Sequence, residues 1–165
     1  MRESKQLLVR SRTLLDTILD GLFGGLLGGG AMALYLILWR WVAGRTPGNV
    51  LGLFDGSMQR VALTGALAHL AVSAVYGIVF GLIWRIVRLR IPGWVAGIAY
   101  GLALLMIAQV ALLPVSGSPL AEIPRLHFAL AHIVYGAVLG VVSERIGAAS
   151  SVGSSAQHCT PTIAA

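Results

Sequence analysis

Four long stretches without a single charged residue constrain this chain more than any other feature. They cover residues 21–39, 61–84, 91–121 and 126–143, each closed at both ends by Asp, Glu or Arg. Crossing a bilayer as a helix takes about 20 mainly apolar residues. All four stretches are long enough, although Pro114, Pro119 and the Ser and Gly residues between them close the helical part of the third near Leu113. Pro124 is suited to the first turn of the fourth. The expected fold is therefore all-α, an integral membrane bundle of four transmembrane helices at about 21–41, 61–84, 91–113 and 125–143. These make up a transmembrane domain over 21–146.

Composition narrows the class further. Charged residues make up only 11% of the chain and hydrophobic residues 57%, whereas soluble domains carry about 25% charged residues. Too few charges remain to cover a water-facing surface. The net charge of +6 is therefore read as membrane orientation and contact with anionic lipid at the cytoplasmic face, not as nucleic-acid binding. Arg2, Lys5, Arg10, Arg12, Arg85, Arg88, Arg90 and Arg145 fall on one side of the four runs; Arg40, Arg45, Arg60 and Arg125 fall on the other. Eight against four predicts a multi-pass protein of the cytoplasmic (inner) membrane with both termini cytoplasmic. Trp39, Trp41, Trp84 and Trp94 stand near predicted membrane edges, where an amphipathic indole is favoured.

The flanks read differently. Residues 1–20 space leucine and isoleucine near helical period among Arg and Asp; this is either an amphipathic cytoplasmic segment or an extension of the first span. Ala31-Met32-Ala33 has the small-residue spacing of a signal cleavage site, but LYLILW follows it and the run before it is glycine-rich. The loop 44–59 carries turn signals at Pro47-Gly48 and Asp55-Gly56 and has room for a short surface helix. Residues 147–165 are small and polar and predict a disordered tail.

Polar groups recur inside the apolar runs. AHLAVSAVYGIVFG (68–81) and AHIVYGAVLG (131–140) are nearly one phrase, with four residues inserted between His and Tyr in the first. Tyr76 lies nine residues before Arg85, Tyr135 nine before Glu144, and Tyr100 ten after Arg90. At 1.5 Å per residue all three sit about 13 to 15 Å from the cytoplasmic edge. Each is followed by glycine, and each glycine has a partner four residues away: Gly77 with Gly81, Gly97 with Gly101, Gly136 with Gly140. The first run adds Gly21, Gly25 and Gly29, together with Gly24 and Gly28. Small residues at this spacing let helix backbones approach closely in lipid.

A buried tyrosine hydroxyl needs an acceptor, and either a carbonyl or a histidine would serve. His132 shares a helix face with Tyr135, and with Tyr76 and Tyr100 the two form a polar mid-membrane layer. His132 has three readings: an interhelical clip, a proton or substrate site, or a cofactor ligand. His69 and His127 match in depth nearer the outer edge. Two histidines at one depth on neighbouring helices suit a b-type haem, which makes this pair the sharpest cofactor idea; otherwise no cofactor is expected. No metal is expected either. Catalytic residues are not found: the chain has no H-E-x-x-H, G-x-S-x-G, P-loop or dinucleotide pattern, and its carboxylates fall at membrane edges. The single cysteine, Cys159, permits no intrachain disulfide.

Leu113-Pro114 followed by Gly117, the pattern His132-x-x-Tyr135-Gly136-x-x-x-Gly140, and the opening GGLLGGGAMALYL resemble the YagU-like small bacterial inner-membrane proteins. The resemblance implies a multi-pass layout in four helices and carries over no activity, cofactor or catalytic residue. The expected role is non-enzymatic: a scaffold, accessory or assembly subunit, with a second copy or a membrane complex as partner. The alternatives are a small transporter- or channel-like protein in which the second and fourth runs are a parallel repeat, and a haem-binding membrane subunit.

Overall fold

The computed structural model describes residues 2–57, 59–87, 91–112 and 119–156, with side chains for 14–57, 59–87, 91–110 and 119–146. Its elements are α1 (Arg2–Val42), α2 (Pro47–Leu51) continued by a 3-10 turn (Gly52–Phe54), α3 (Ala62–Val87), α4 (Gly93–Ile107) continued by a π-helical turn (Ala108–Leu112), a 3-10 turn (Pro119–Glu122) and α5 (Arg125–Ala156). No strand occurs among the described residues. The segments Leu14–Val42, Ala62–Val87, Gly93–Val110 and Arg125–Ile146 are long and apolar enough to cross a membrane.

Residues 2–20 belong to the same unbroken helix as the first span, the second of the two readings above; no Gly or Pro separates them before Gly21. The C-terminal boundary differs from the expectation. The disordered tail was expected from 147, but α5 continues to Ala156. Its Ala and Ser residues contain no proline before Pro161 to stop a helix already under way. Residues 157–165, with Cys159, lie outside the described residues, as do Pro114 and Gly117. The third run stays helical to Leu112, the last residue described before 119, but changes from α to π geometry at Ala108.

α1 ends cleanly. Gly44 takes a positive φ of 76°, Arg45 N–H reaches back to the Arg40 carbonyl and Gly44 N–H to that of Trp41, and Pro47 blocks continuation. Glycine suits this left-handed closing position because it has no Cβ to clash. α2 then folds down onto the start of α3. A Cβ on Gly65 would collide with the Leu51 carbonyl, so the loop lies directly on the helix. Asp55 ties the two together. It is 3% exposed and accepts hydrogen bonds from the Ser57 hydroxyl (2.7 Å), Ser57 N–H (3.0 Å) and Val61 N–H (2.7 Å). These donors, the Ser57 hydroxyl foremost, hold its carboxyl below the usual carboxylate range. Arg60 turns the corner into α3 at φ 53° and pairs with Glu122 at 2.8 Å across an exposed edge.

The four long helices pack antiparallel in the spatial order α3, α1, α5, α4, with glycines along each contact. On α1, a Cβ at Gly21 would lie 2.8 Å from the Ile78 Cα, and one at Gly25 would lie 2.9 Å from the Gly77 Cα. One turn round the same helix, a Cβ at Gly28 would lie 2.9 Å from the Tyr135 carbonyl of α5. Between α4 and α5, Gly97 and Gly136 each stand against the other's carbonyl, and Gly101 stands against that of His132. Gly81 meets α1 at the Thr17 carbonyl, and Gly140 meets α4 at Gly93. The end of this last contact is fixed by Glu144, which accepts the Gly93 N–H at 2.9 Å. A carboxylate on that orphan donor also complements the positive end of α4. α3 and α4 have no comparable contact, and their side of the bundle stays open. The packed interior runs through Leu36, Leu139, Ala131 and Tyr135, with Phe80 and Phe128 beside them.

Candidate functional site

The open side is not empty of structure. Tyr100 of α4 donates its hydroxyl to the Tyr76 carbonyl of α3 at 2.9 Å, and its ring tilts against Phe80 at 5.2 Å between centroids. Tyr135 of α5 donates to the Ser73 carbonyl, also on α3, at 2.9 Å. The two bonds land on acceptors one helical turn apart. Three of the four sequence-singled groups (Tyr76, Tyr100, Tyr135) thus meet at one level of the bundle, and backbone carbonyls supply the acceptors. These carbonyls already serve their own helix, and a carbonyl oxygen has a second lone pair to offer.

Beyond this tyrosine level, toward the α2 end, the gap between α3 and α4 widens into a cavity of about 280 Å³. α3 contributes His69, Val72, Ser73 and Tyr76; α4 contributes Leu104, Ile107 and Ala108; α5 contributes Phe128, His132 and Tyr135. Met32 of α1 forms the back wall, and Phe54 and Leu120, from the loops, close the top. Val72, Tyr76 and Ile107 are exposed on the outside of the bundle, so the mouth opens sideways between α3 and α4. The switch to π geometry at Ala108 falls on the cavity wall. Such turns re-aim side chains and concentrate at functional positions.

The histidines divide in a way the sequence does not predict. His132 was expected first of all as an interhelical clip, but its Nδ1 donates to the Phe128 carbonyl on its own helix at 2.8 Å. The i−4 carbonyl is within reach of a side chain leaning back along the helix, and it satisfies the ring locally. His69 is the clip instead. Its Nε2 donates to the Gly29 carbonyl of α1 at 3.0 Å, and its ring stacks on Phe54 at 4.2 Å. His127 lies away from the cavity, stacked on Trp39 at 3.9 Å and sharing a 2.9 Å hydrogen bond with the Tyr35 hydroxyl. His69 and His127 thus hold different stretches of α1, and each turns a ring nitrogen to its own partner there. Among the described residues, no group of three or more His, Cys, Asp or Glu side chains is arranged to hold a metal ion.

A second, more polar crevice of about 240 Å³ lies at the other end of the bundle. Thr17 and Asp20 of α1, Arg85 of α3 and Ser143 and Glu144 of α5 line it. Arg85 donates to the Thr17 hydroxyl at 3.1 Å. Phe80 and Leu139, both buried, stand between the levels of the two hollows.

Phe54, Phe128, Ile107 and Leu120 are cavity residues that sequence reasoning missed. Their only signal is an apolar side chain, which in a chain of this composition distinguishes nothing. Ser73 was visible as the fourth residue after His69. Comparison of the chain with protein-family models, with curated proteins and with solved structures finds no match.

Proposed function

We propose that this chain is a non-enzymatic, four-span membrane protein that serves as an accessory or scaffolding subunit and holds a small apolar molecule in the cavity between α3 and α4. The cavity carries this reading. It is concave and mostly apolar, has a few convergent polar groups, and opens sideways between α3 and α4 past the exposed apolar side chains Val72 and Ile107. A purely passive bundle has no need to leave such a space, because unfilled volume forfeits dispersion contacts. The glycine contacts support the scaffold half of the reading: close backbone approach is how helices associate where lipid removes the hydrophobic drive. Anionic lipid at the arginine-rich face, an inner-membrane location and cytoplasmic termini complete the proposal.

Two measurements test it. Naphthalene, which has no polar group, should raise the unfolding temperature of the protein in lipid nanodiscs but not that of the cavity-filled Ala108→Trp variant. No shift in either protein at saturating naphthalene would sink the binding role. Cys159 should react with an impermeant thiol reagent only from the cytoplasmic side; labelling of intact cells would reverse the orientation. A transporter-like role is the second reading. It is favoured by the polar crevice lying beneath the cavity, with Phe80 and Leu139 between their levels. It requires substrate-dependent flux in proteoliposomes, whereas the first reading requires none.

A further inference from the structure

The polar groups of the cavity have a direction as well as a position. A carbonyl oxygen can only accept, so the ring nitrogen facing it must carry the proton. His132 is therefore protonated at Nδ1, toward Phe128, and His69 at Nε2, toward Gly29. In each neutral ring the other nitrogen then presents a bare lone pair. Neither of these nitrogens has a hydrogen bond among the described residues. Among the described residues, the fully buried polar side-chain atoms without a partner are Arg40 Nη1 and Ser143 Oγ, and neither of these nitrogens is one of them. Both residues line the cavity. The Tyr135 hydroxyl is already spent as a donor on a backbone carbonyl. The hydroxyls of Ser73 and Tyr76 rotate and can match either kind of group. The fixed polar character of the site is that of an acceptor.

We infer that the cavity selects an apolar molecule carrying a neutral hydroxyl donor, with His132 Nε2 as its principal acceptor. This inference rests on the cavity being a binding site, as proposed above. A carboxylate or a ketone brings only lone pairs and would leave the His132 lone pair unmet. A hydroxyl gives the bare nitrogen the proton it lacks, inside an apolar surround where an unmet polar group is costly. Size fits a ring with a short chain: a cavity of about 150 Å³ takes benzene, and this one is about 280 Å³. The rings of Phe54, Phe128 and Tyr135 on the wall favour an aromatic body through edge and face contacts.

Three probes of nearly equal shape test this on the full chain in nanodiscs, with binding corrected for partition into empty nanodiscs: 4-propylphenol, 4-propylanisole and 4-propylcyclohexanol. The phenol should bind about 5- to 10-fold more tightly than its methyl ether, the value of one hydrogen bond. His132→Leu should erase that preference while leaving the ether's affinity in place. The cyclohexanol distinguishes the source of the hydroxyl: affinity close to the phenol's supports aliphatic alcohols, and affinity below it supports phenols. Equal binding of phenol and ether would overturn the donor rule and leave the cavity reading standing. A preference that survives in folded His132→Leu would overturn the assignment to His132. Binding of none of the three would remove the cavity reading and this inference together. Should His132→Leu fail to fold, the phenol–ether pair on the wild-type protein still decides the donor rule.

Discussion

The closed and open sides of the bundle are built from different residues, and the difference explains where the cavity lies. α1 meets α3 and α5, and α5 meets α4, with glycine on at least one partner at each close approach. α3 uses Gly77 and Gly81 against α1 and Gly65 against the loop; α4 uses Gly93, Gly97 and Gly101 against α5. Neither helix has a glycine left for the other. What α3 and α4 turn toward each other is Tyr76, Phe80 and Tyr100, and such rings hold backbones apart. The same alphabet that closes three helix pairs therefore leaves the fourth propped open.

The largest expected effect breaks a closed side. Gly136→Leu places a branched side chain where the Gly97 carbonyl and Ile98 Cα already stand, and Gly77→Leu does the same against Gly21 and Gly25. Each should cost about 3 kcal/mol or more, the upper range for overpacking, read from reversible unfolding in mixed micelles. Gly30→Leu, on the same helix as Gly25 but with nothing within 4 Å of its Cβ position, should change stability by less than about 0.5 kcal/mol. Equal tolerance at all three positions would mean the glycine contacts carry no stability.

Smaller effects sharpen the open side. Tyr135→Phe and Tyr100→Phe each remove one hydroxyl donated to an α3 carbonyl. Interhelical bonds of this kind in membranes average about 0.6 kcal/mol and reach about 1.7. Tyr135 is buried on all sides, whereas Tyr100 spans the gap, so Tyr135→Phe should cost more in unfolding. Tyr100→Phe should instead widen the distribution of α3–α4 distances between spin labels at Val72 and Ile107. An unchanged distribution would show that the tyrosine is not what sets the gap.

His132→Gln should be smaller still in stability, below about 1 kcal/mol. The bond it replaces stays within one helix and the chain carbonyl retains its helical partner.

The smallest change concerns the loop over the cavity. Asp55 has a lowered pKa, so its contribution is complete above the unfolded carboxylate value of about 3.9 and is lost as pH falls through its lower folded value. Amide exchange at Ser57 and Val61 should therefore stay slow down to about pH 4 and quicken only below it. In Asp55→Asn the acid-dependent quickening should vanish. A loop that loosens between pH 7 and pH 5 would assign the effect to some other group.

Much of this architecture is readable from local pattern. Uncharged length marks the four apolar helices because no other use of so many apolar residues is open to a chain with so few charges. The repeated Tyr-Gly spacing places Tyr76, Tyr100 and Tyr135 at one level because helical rise is fixed. The cavity is not readable in this way, because it depends on which face each helix gives away first. Gly97 and Gly77 look alike in sequence, and only their partners show that α4 and α3 have both turned their small faces elsewhere. His132 misleads for a related reason: a histidine's spacing says which face it occupies, but not whether its nitrogen reaches across to a neighbour or back to its own carbonyl. The end of α5 at Ala156 was missed because small polar residues read as disorder by composition, although an established helix extends through them cheaply.

The two glycine stripes of α1 also set an order of assembly. The stripe facing α3 finds its partner as soon as α3 has been made. The stripe of Gly24 and Gly28 must wait for α5, whose contact with the same helix joins residues 92 apart at Tyr35 and His127. Through that interval a half-made chain leaves uncovered a groove shaped for another small-residue helix. A chain truncated before Arg125 would keep the groove permanently, and the nearest helix that fits is the same stripe on a second truncated copy. Dimers formed by such fragments, dissolving when the missing C-terminal helix is supplied in trans, would be the mark of a protein whose last segment acts as a stopper on its first.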